Sequence, residues 1–227
     1  MLFRIIILLV VFPLITSCDS ISVSTPQPVD SKNIMNFPRD YRGTWTCEGN
    51  TVTIGKDFYE YSEVFDVKIP KQLVDTSSSY LLKNNKIYYV DRWKQELGEG
   101  FPYMIENDTI YYTERTVSET TLGQNAFLRR VKKNYILNVK QENQWWQLAL
   151  IEKNKGGEII IRIQNLEELD RFSNHTHIHT LSGKYDRSEF IEANWTRKDL
   201  SDMLNNGMFS DTLLVLEPNN KIRCDDF

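Results

Sequence analysis

The sequence predicts a mainly β protein, an antiparallel meander forming a barrel or a strongly curled sheet, with two short helices in the C-terminal third. Three observations carry that expectation. From Tyr41 onward, short aromatic and β-branched runs are separated by Asn, Gly and Asp at close spacing, the composition of strands joined by tight turns. Between consecutive runs stand dipeptides that tolerate a positive φ. After Gln164 the apolar period changes from that of a strand to that of a helix.

The elements follow in order. Tyr80, Leu81 and Leu82 lead through Asn84-Asn85 to Ile87, Tyr88, Tyr89 and Val90, a hairpin. Tyr103 to Glu106 and Thr109 to Thr113 flank Asn107-Asp108 in the same way. Phe127 to Val131 and Tyr135 to Val139 flank Lys132-Lys133-Asn134, and Trp145 to Ile151 and Glu158 to Ile163 flank Asn154-Lys155-Gly156-Gly157. A meander this long must curl or close to hide its edges. These hairpins share no sequence period, so a repeat array is excluded.

Asn165 stands three residues before Glu168, and Leu166, Leu169 and Phe172 fall at helical spacing, which predicts a helix over 165–172. Thr196 and Asp199 open a second helix near 197–206, with Leu200, Met203 and Leu204 as its apolar stripe and Gly207 at its end. Residues 212–217 and 221–224 read as a last hairpin around Pro218-Asn219-Asn220. No linker composition marks a boundary, so 37–227 reads as one β-rich domain, with 165–227 as a small α+β extension in the alternative division.

Residues 1–17 carry Arg4, the apolar run Ile5 to Ile15 and small polar residues leading into Cys18. The run is too short to span a bilayer and fits a secretory signal peptide. Ile15-Thr16-Ser17-Cys18 resembles the lipobox of bacterial lipoproteins, although that family more often has Leu where Ile15 stands. The resemblance implies cleavage before Cys18, acylation of its thiol, and a cell-envelope protein held to a membrane by that lipid. Three acyl chains bury far more methylene than the single chain that binds marginally. Residues 18–36, rich in Ser, Thr, Pro, Val and Asp, read as a flexible tether of about 20–25 Å mean reach. The family's inner-membrane retention signal is matched by Asp19, but that rule varies with lineage and names no leaflet here.

Removing residues 1–17 leaves 210 residues with 26 basic and 31 acidic side chains, a formal charge of −5. That balance argues against nucleic acid as a partner. Two cysteines besides Cys18 remain, Cys47 and Cys224. The envelope permits disulfides, and a Cys47–Cys224 bridge would close a loop of about 180 residues, worth on the order of 5 kcal/mol in the chain-entropy model. The alternative is two buried free thiols packing as small hydrophobes.

Phe37 to Trp45 reads Phe-Pro-Arg-Asp-Tyr-Arg-Gly-Thr-Trp. This is similar to the Gly-x-Trp opening of lipocalin-like barrels. The resemblance implies that Gly43 allows a tight entry into the first strand, that Trp45 plugs one barrel end, and that Arg223 packs on it. It also implies a cavity for a small apolar ligand. The alternative is that Trp45 is a core residue of an antiparallel sheet, with Cys47 facing the same side.

All three histidines stand together at His175, His177 and His179. On a strand their side chains would be about 6.6–7 Å apart along one face, so a neighbouring pair could chelate a metal with carboxylates from elsewhere. The alternative is a polar strand face. The run Arg129 to Lys133 is the one cationic cluster, read as a solvated hairpin end or a contact for anionic headgroups. A nucleophile elbow, a zinc-protease helix, a phosphate loop and a dinucleotide fingerprint are all missing. The function expected is therefore a lipid-anchored binding or interaction module for a small apolar ligand or an envelope protein, with no cofactor. The alternatives are a metal-dependent hydrolase or lyase using the His-x-His strand, and a structural subunit of an envelope assembly.

Overall fold

The computed structural model describes residues 20–91, 96–141, 143–165, 168, 177–182 and 187–223. Residues 1–17, Cys18, His175, Cys224 and most of the helix expected over 165–172 lie outside the described residues. The chain forms two compact units. Unit 1 comprises the described residues up to Cys47, Val52–Glu60 and those from Glu119 onward; unit 2 comprises Glu48–Thr51 and Tyr61–Ser118.

Unit 1 is built on a branched sheet. Its order is β13 (His177–Ser182), β14 (Arg187–Glu192), β1 (Ser20–Val23), β11 (Trp146–Lys153), β10 (Asn134–Lys140) and β9 (Ala126–Val131). One edge of β11 carries β10. Its other edge is divided: Trp146 and Gln147 pair β1, and Ala149–Lys153 pair β12 (Ile159–Ile163), which in turn pairs β15 (Asp211–Leu216). A helix, Arg197–Asn205, supplies Leu200 and Met203 to the core with Ile21, Val23, Ile136, Leu150, Ile191 and Phe209. It starts as its sequence dictates, with Thr196 and Asp199 forming a reciprocal capping box. β2 (Gly43–Cys47) pairs β3 (Asn50–Ile54), which pairs β4 (Phe58–Pro70); of the last two strands only the residues within Val52–Glu60 belong to unit 1.

Unit 2 is a stack of hairpins. Its strands follow the order β4, β8 (Thr109–Thr121), β7 (Glu96–Glu106), β6 (Lys86–Asp91) and β5 (Tyr80–Lys83). A short helix, α1 (Lys71–Thr76), leaves β4, which makes Arg197–Asn205 α2. Asn84 and Asn85 adopt φ of 51° and 56°, and Asn107 and Asp108 adopt 48° and 58°, the left-handed pairs that match strand twist in a two-residue hairpin. Along β4, β7 and β8 the side chains alternate. Val67, Ile69, Phe101, Tyr103, Ile110 and Tyr112 join Val74 and Ile87 in one apolar cluster.

Two expectations need correction. Among the described residues neither sheet closes into a barrel. The edge of β11 is shared by two strands, which branches the sheet, and the unit 2 stack ends at β5, which pairs β6 alone. Residues 20–36 are not a free tether. Ser20–Val23 is a strand between β14, in parallel, and β11, antiparallel, with Ile21, Ser22 and Val23 buried. Beyond it the Gln27 side chain donates to the carbonyls of Thr25 and Ala193 and accepts the Trp195 N–H, while Arg129 binds the carbonyls of Pro26 and Pro28. Ser-Ile-Ser-Val is too short for its alternation to outweigh the Ser, Thr and Pro around it, and its partners lie more than 120 residues away. The helix α1 is additional to the elements its sequence predicts. It follows Pro70, has no side-chain cap, and contains the β-branched Val74 and Thr76.

Candidate functional site

The site begins with the alternation of unit 2. While one face of β4, β8 and β7 builds the apolar cluster, the other presents Asp66, Lys68, Pro102, Met104, Tyr111 and Thr113 around an open cleft of about 430 Å³. Met104 stands opposite Tyr111 in the β7–β8 register. The Lys68 ammonium lies 5.8 Å from the centroid of the Tyr111 ring, a cation–π arrangement. Thr113 Oγ1 donates to Asp66 at 2.8 Å. The cleft therefore offers an aromatic surface and a flexible thioether between a cation and a carboxylate.

Met104 is the most exposed large hydrophobic side chain described, at 67 %. Of the ten most exposed such side chains, seven belong to unit 2: Leu73, Leu81, Tyr89, Leu97, Met104, Ile105 and Val117. Tyr89 also donates or accepts at Tyr112 (2.5 Å) and reaches Glu114 (3.1 Å). Burial raises the Tyr89 pKa, and the hydrogen bond to Tyr112 raises it further.

The residues singled out in the sequence are dispersed. Trp45 is buried, its indole N–H donating to the Glu217 carbonyl at 2.9 Å, and Cys47 is buried on the same strand. Gly43 leaves room for that indole, since a Cβ there would stand 2.9 Å from Trp45 Cη2. With no closed barrel among the described residues, Trp45 has no barrel end there to plug. Arg223 directs its guanidinium to carboxylates, Glu158 at 2.6 Å and Glu217 at 3.6 Å. Cys47 is disulfide-bonded. The chain's other cysteines, Cys18 and Cys224, lie outside the described residues. The Ile222 N–H donates to the Thr46 carbonyl at 3.1 Å, which sets Ile222 beside β2 and two residues short of Cys224.

His177 and His179 occupy β13 at register positions opposite Glu192 and Phe190, and His175 lies outside the described residues. Among the described residues no group of three His, Cys, Asp or Glu side chains converges as metal ligands would. Arg129, from the cationic run, is half-buried against Pro26, Pro28 and Asn33 rather than free at a hairpin tip. Desolvation lowers its pKa, so the group holds local backbone at some electrostatic cost.

Sequence reasoning missed the cleft. Alternation in β4, β7 and β8 could have separated the two faces, but nothing in it says which face stays uncovered. No family model, curated protein or solved structure matches the chain.

Proposed function

We propose that this chain is a lipid-anchored cell-envelope protein in which unit 2 is an interaction module for an envelope protein. The anchor is the acylated Cys18, and it rests on the signal-like segment 1–17 and the lipobox resemblance at Ile15 to Cys18. The observation that carries the module is the concentration of exposed apolar side chains in unit 2, around a cleft lined by Tyr111 and Met104. Soluble proteins rarely leave so many large apolar groups wet on one small unit unless a partner covers them. A protein partner fits better than a small apolar ligand. The cleft is open, and Leu97, Ile105 and Val117 lie outside its lining, whereas a ligand pocket encloses most of its ligand.

The test is photocrosslinking in the intact envelope. A photoreactive residue at position 104 should yield a discrete protein adduct that the same residue at Lys155, exposed in unit 1, does not. Equal labelling at the two positions would remove the module. The anchor is tested apart from it, since Cys18→Ser should abolish lipid on the mature chain and its recovery with membranes. A processed Cys18→Ser protein that still fractionates with membranes would remove the anchor.

A further inference from the structure

The first residue of the sheet stands two positions after Cys18. Ser20 pairs Ser188, Ile21 pairs Glu189, Ser22 pairs Phe190 and Gln147, and Val23 pairs Ile191 and Trp146. Ile21 and Val23 are 5 % and 0 % exposed within the unit 1 core. The following residues are pinned as firmly: Ser24 N–H donates to the Ile191 carbonyl at 2.9 Å, and Gln27 is wholly buried. No slack exists between Ser20 and the body of unit 1.

From this placement we infer that unit 1 is an interaction surface for the lipid bilayer itself, held flush against the headgroups at the point where β1 begins. The inference rests on the lipid-anchor reading of Cys18. Two residues of extended chain reach at most about 7 Å. The covalent chain alone therefore limits a lipid on Cys18 to about 7 Å from Ser20, whereas an eighteen-residue tether would average about 20–25 Å. The site of contact is bordered by Ser188 of β14 and by Ile163 of β12, which pairs Ala149 two positions beyond the last β11 residue paired with β1. The partner is the membrane surface, recognised through the lipid and the short reach of the chain. The formal charge of −5 offers no attraction to anionic lipid.

The lipidated full-length protein, reconstituted in phosphatidylcholine vesicles carrying a dansyl-headgroup lipid, reports the distance through energy transfer from tryptophan. Trp146 is the register partner of Val23, so indole donors lie close to β1. A variant with twelve Gly/Ser residues inserted between Asp19 and Ser20 adds about 20 Å of mean reach. Wild type should show transfer at least about twofold above that variant; equal transfer would overturn the inference. Mass spectrometry of both chains separates the two layers, because absence of lipid on Cys18 overturns the anchor reading itself. Amide exchange at Ser22 and Val23 in the vesicle-bound wild type gives a second measure that needs no insertion. Slow exchange shows β1 seated while anchored, and fast exchange shows it pulled from the sheet, which would also overturn the inference.

Discussion

Gln27 and Asn138, 111 residues apart, bind each other as two strands would: the Gln27 N–H donates to Asn138 Oδ1 at 2.6 Å, and Asn138 Nδ2 donates to the Gln27 carbonyl at 2.9 Å. Both residues are fully buried. The amide side chain thus supplies one donor and one acceptor to a backbone that has no strand beside it, as buried backbone requires. Asn138→Leu leaves both Gln27 groups unpaired and should cost about 2–6 kcal/mol, at roughly 1–3 kcal/mol for each buried unsatisfied group. Urea denaturation should show that loss, and an unchanged midpoint would contradict the pairing.

Gly43→Ala should act first on Trp45, whose ring holds the three atoms nearest an added Cβ. The new Cβ meets the Trp45 indole at 2.9–3.3 Å, so the ring must move and its bond to the Glu217 carbonyl must lengthen. The expected cost is about 1–3 kcal/mol, the usual range for overpacking. A change in tryptophan emission should accompany it. Unaltered emission and stability would show that the ring does not rest on Gly43.

The bonded state of Cys47 and the position of Ile222 lead to Cys224 as the expected partner. Peptide mapping without reduction should recover a Cys47–Cys224 fragment, and Cys47→Ser should destabilise the chain by about 2–4 kcal/mol. A free Cys224 thiol in the folded protein would refute the pairing.

Tyr41 predicts the alkaline behaviour. Burial pushes its pKa up from 10.0 to about 12, with the Asp40 carboxylate adding to the rise. The ring packs edge-on to Tyr135, and the Lys153 ammonium lies 5.8 Å from its centroid. A raised folded pKa means that this contribution to stability is complete below pH 10 and disappears as pH climbs through about 12. Denaturation midpoints should fall across that window in wild type and fall less in Tyr41→Phe. Parallel curves would assign the loss to other groups.

Local signals in this chain were readable and long-range ones were not. Asn84-Asn85 and Asn107-Asp108 specify their turns by their own tolerance of positive φ, and Thr196 with Asp199 specifies the start of α2. These devices act within four residues. By contrast, β1 is a strand because Phe190 and Ile191 stand on one side of it and Trp146 on the other. Its own four residues carry little preference, and tertiary pairing decides. The cleft escaped for a related reason. Period two tells that Met104 and Tyr111 share a face opposite Phe101 and Ile110, but whether that face is covered depends on elements elsewhere in the chain.

The place of β1 also fixes an order of events. A chain delivered amino end first presents Ser20–Val23 at the outset, yet their partners Ser188–Ile191 arrive some 168 residues later. Pairings of such sequence separation form slowly, because the entropy of closing the loop precedes any gain from contact. Until then Ser20–Val23 are unpaired and open to any enzyme that must grip the chain in extended form. Once residues 188–191 have been delivered, β1 can seat and that access ends. On the proposed lipid-anchor reading of Cys18, its processing would have a window set by chain length, and a variant that seats β1 sooner should leave more precursor unprocessed.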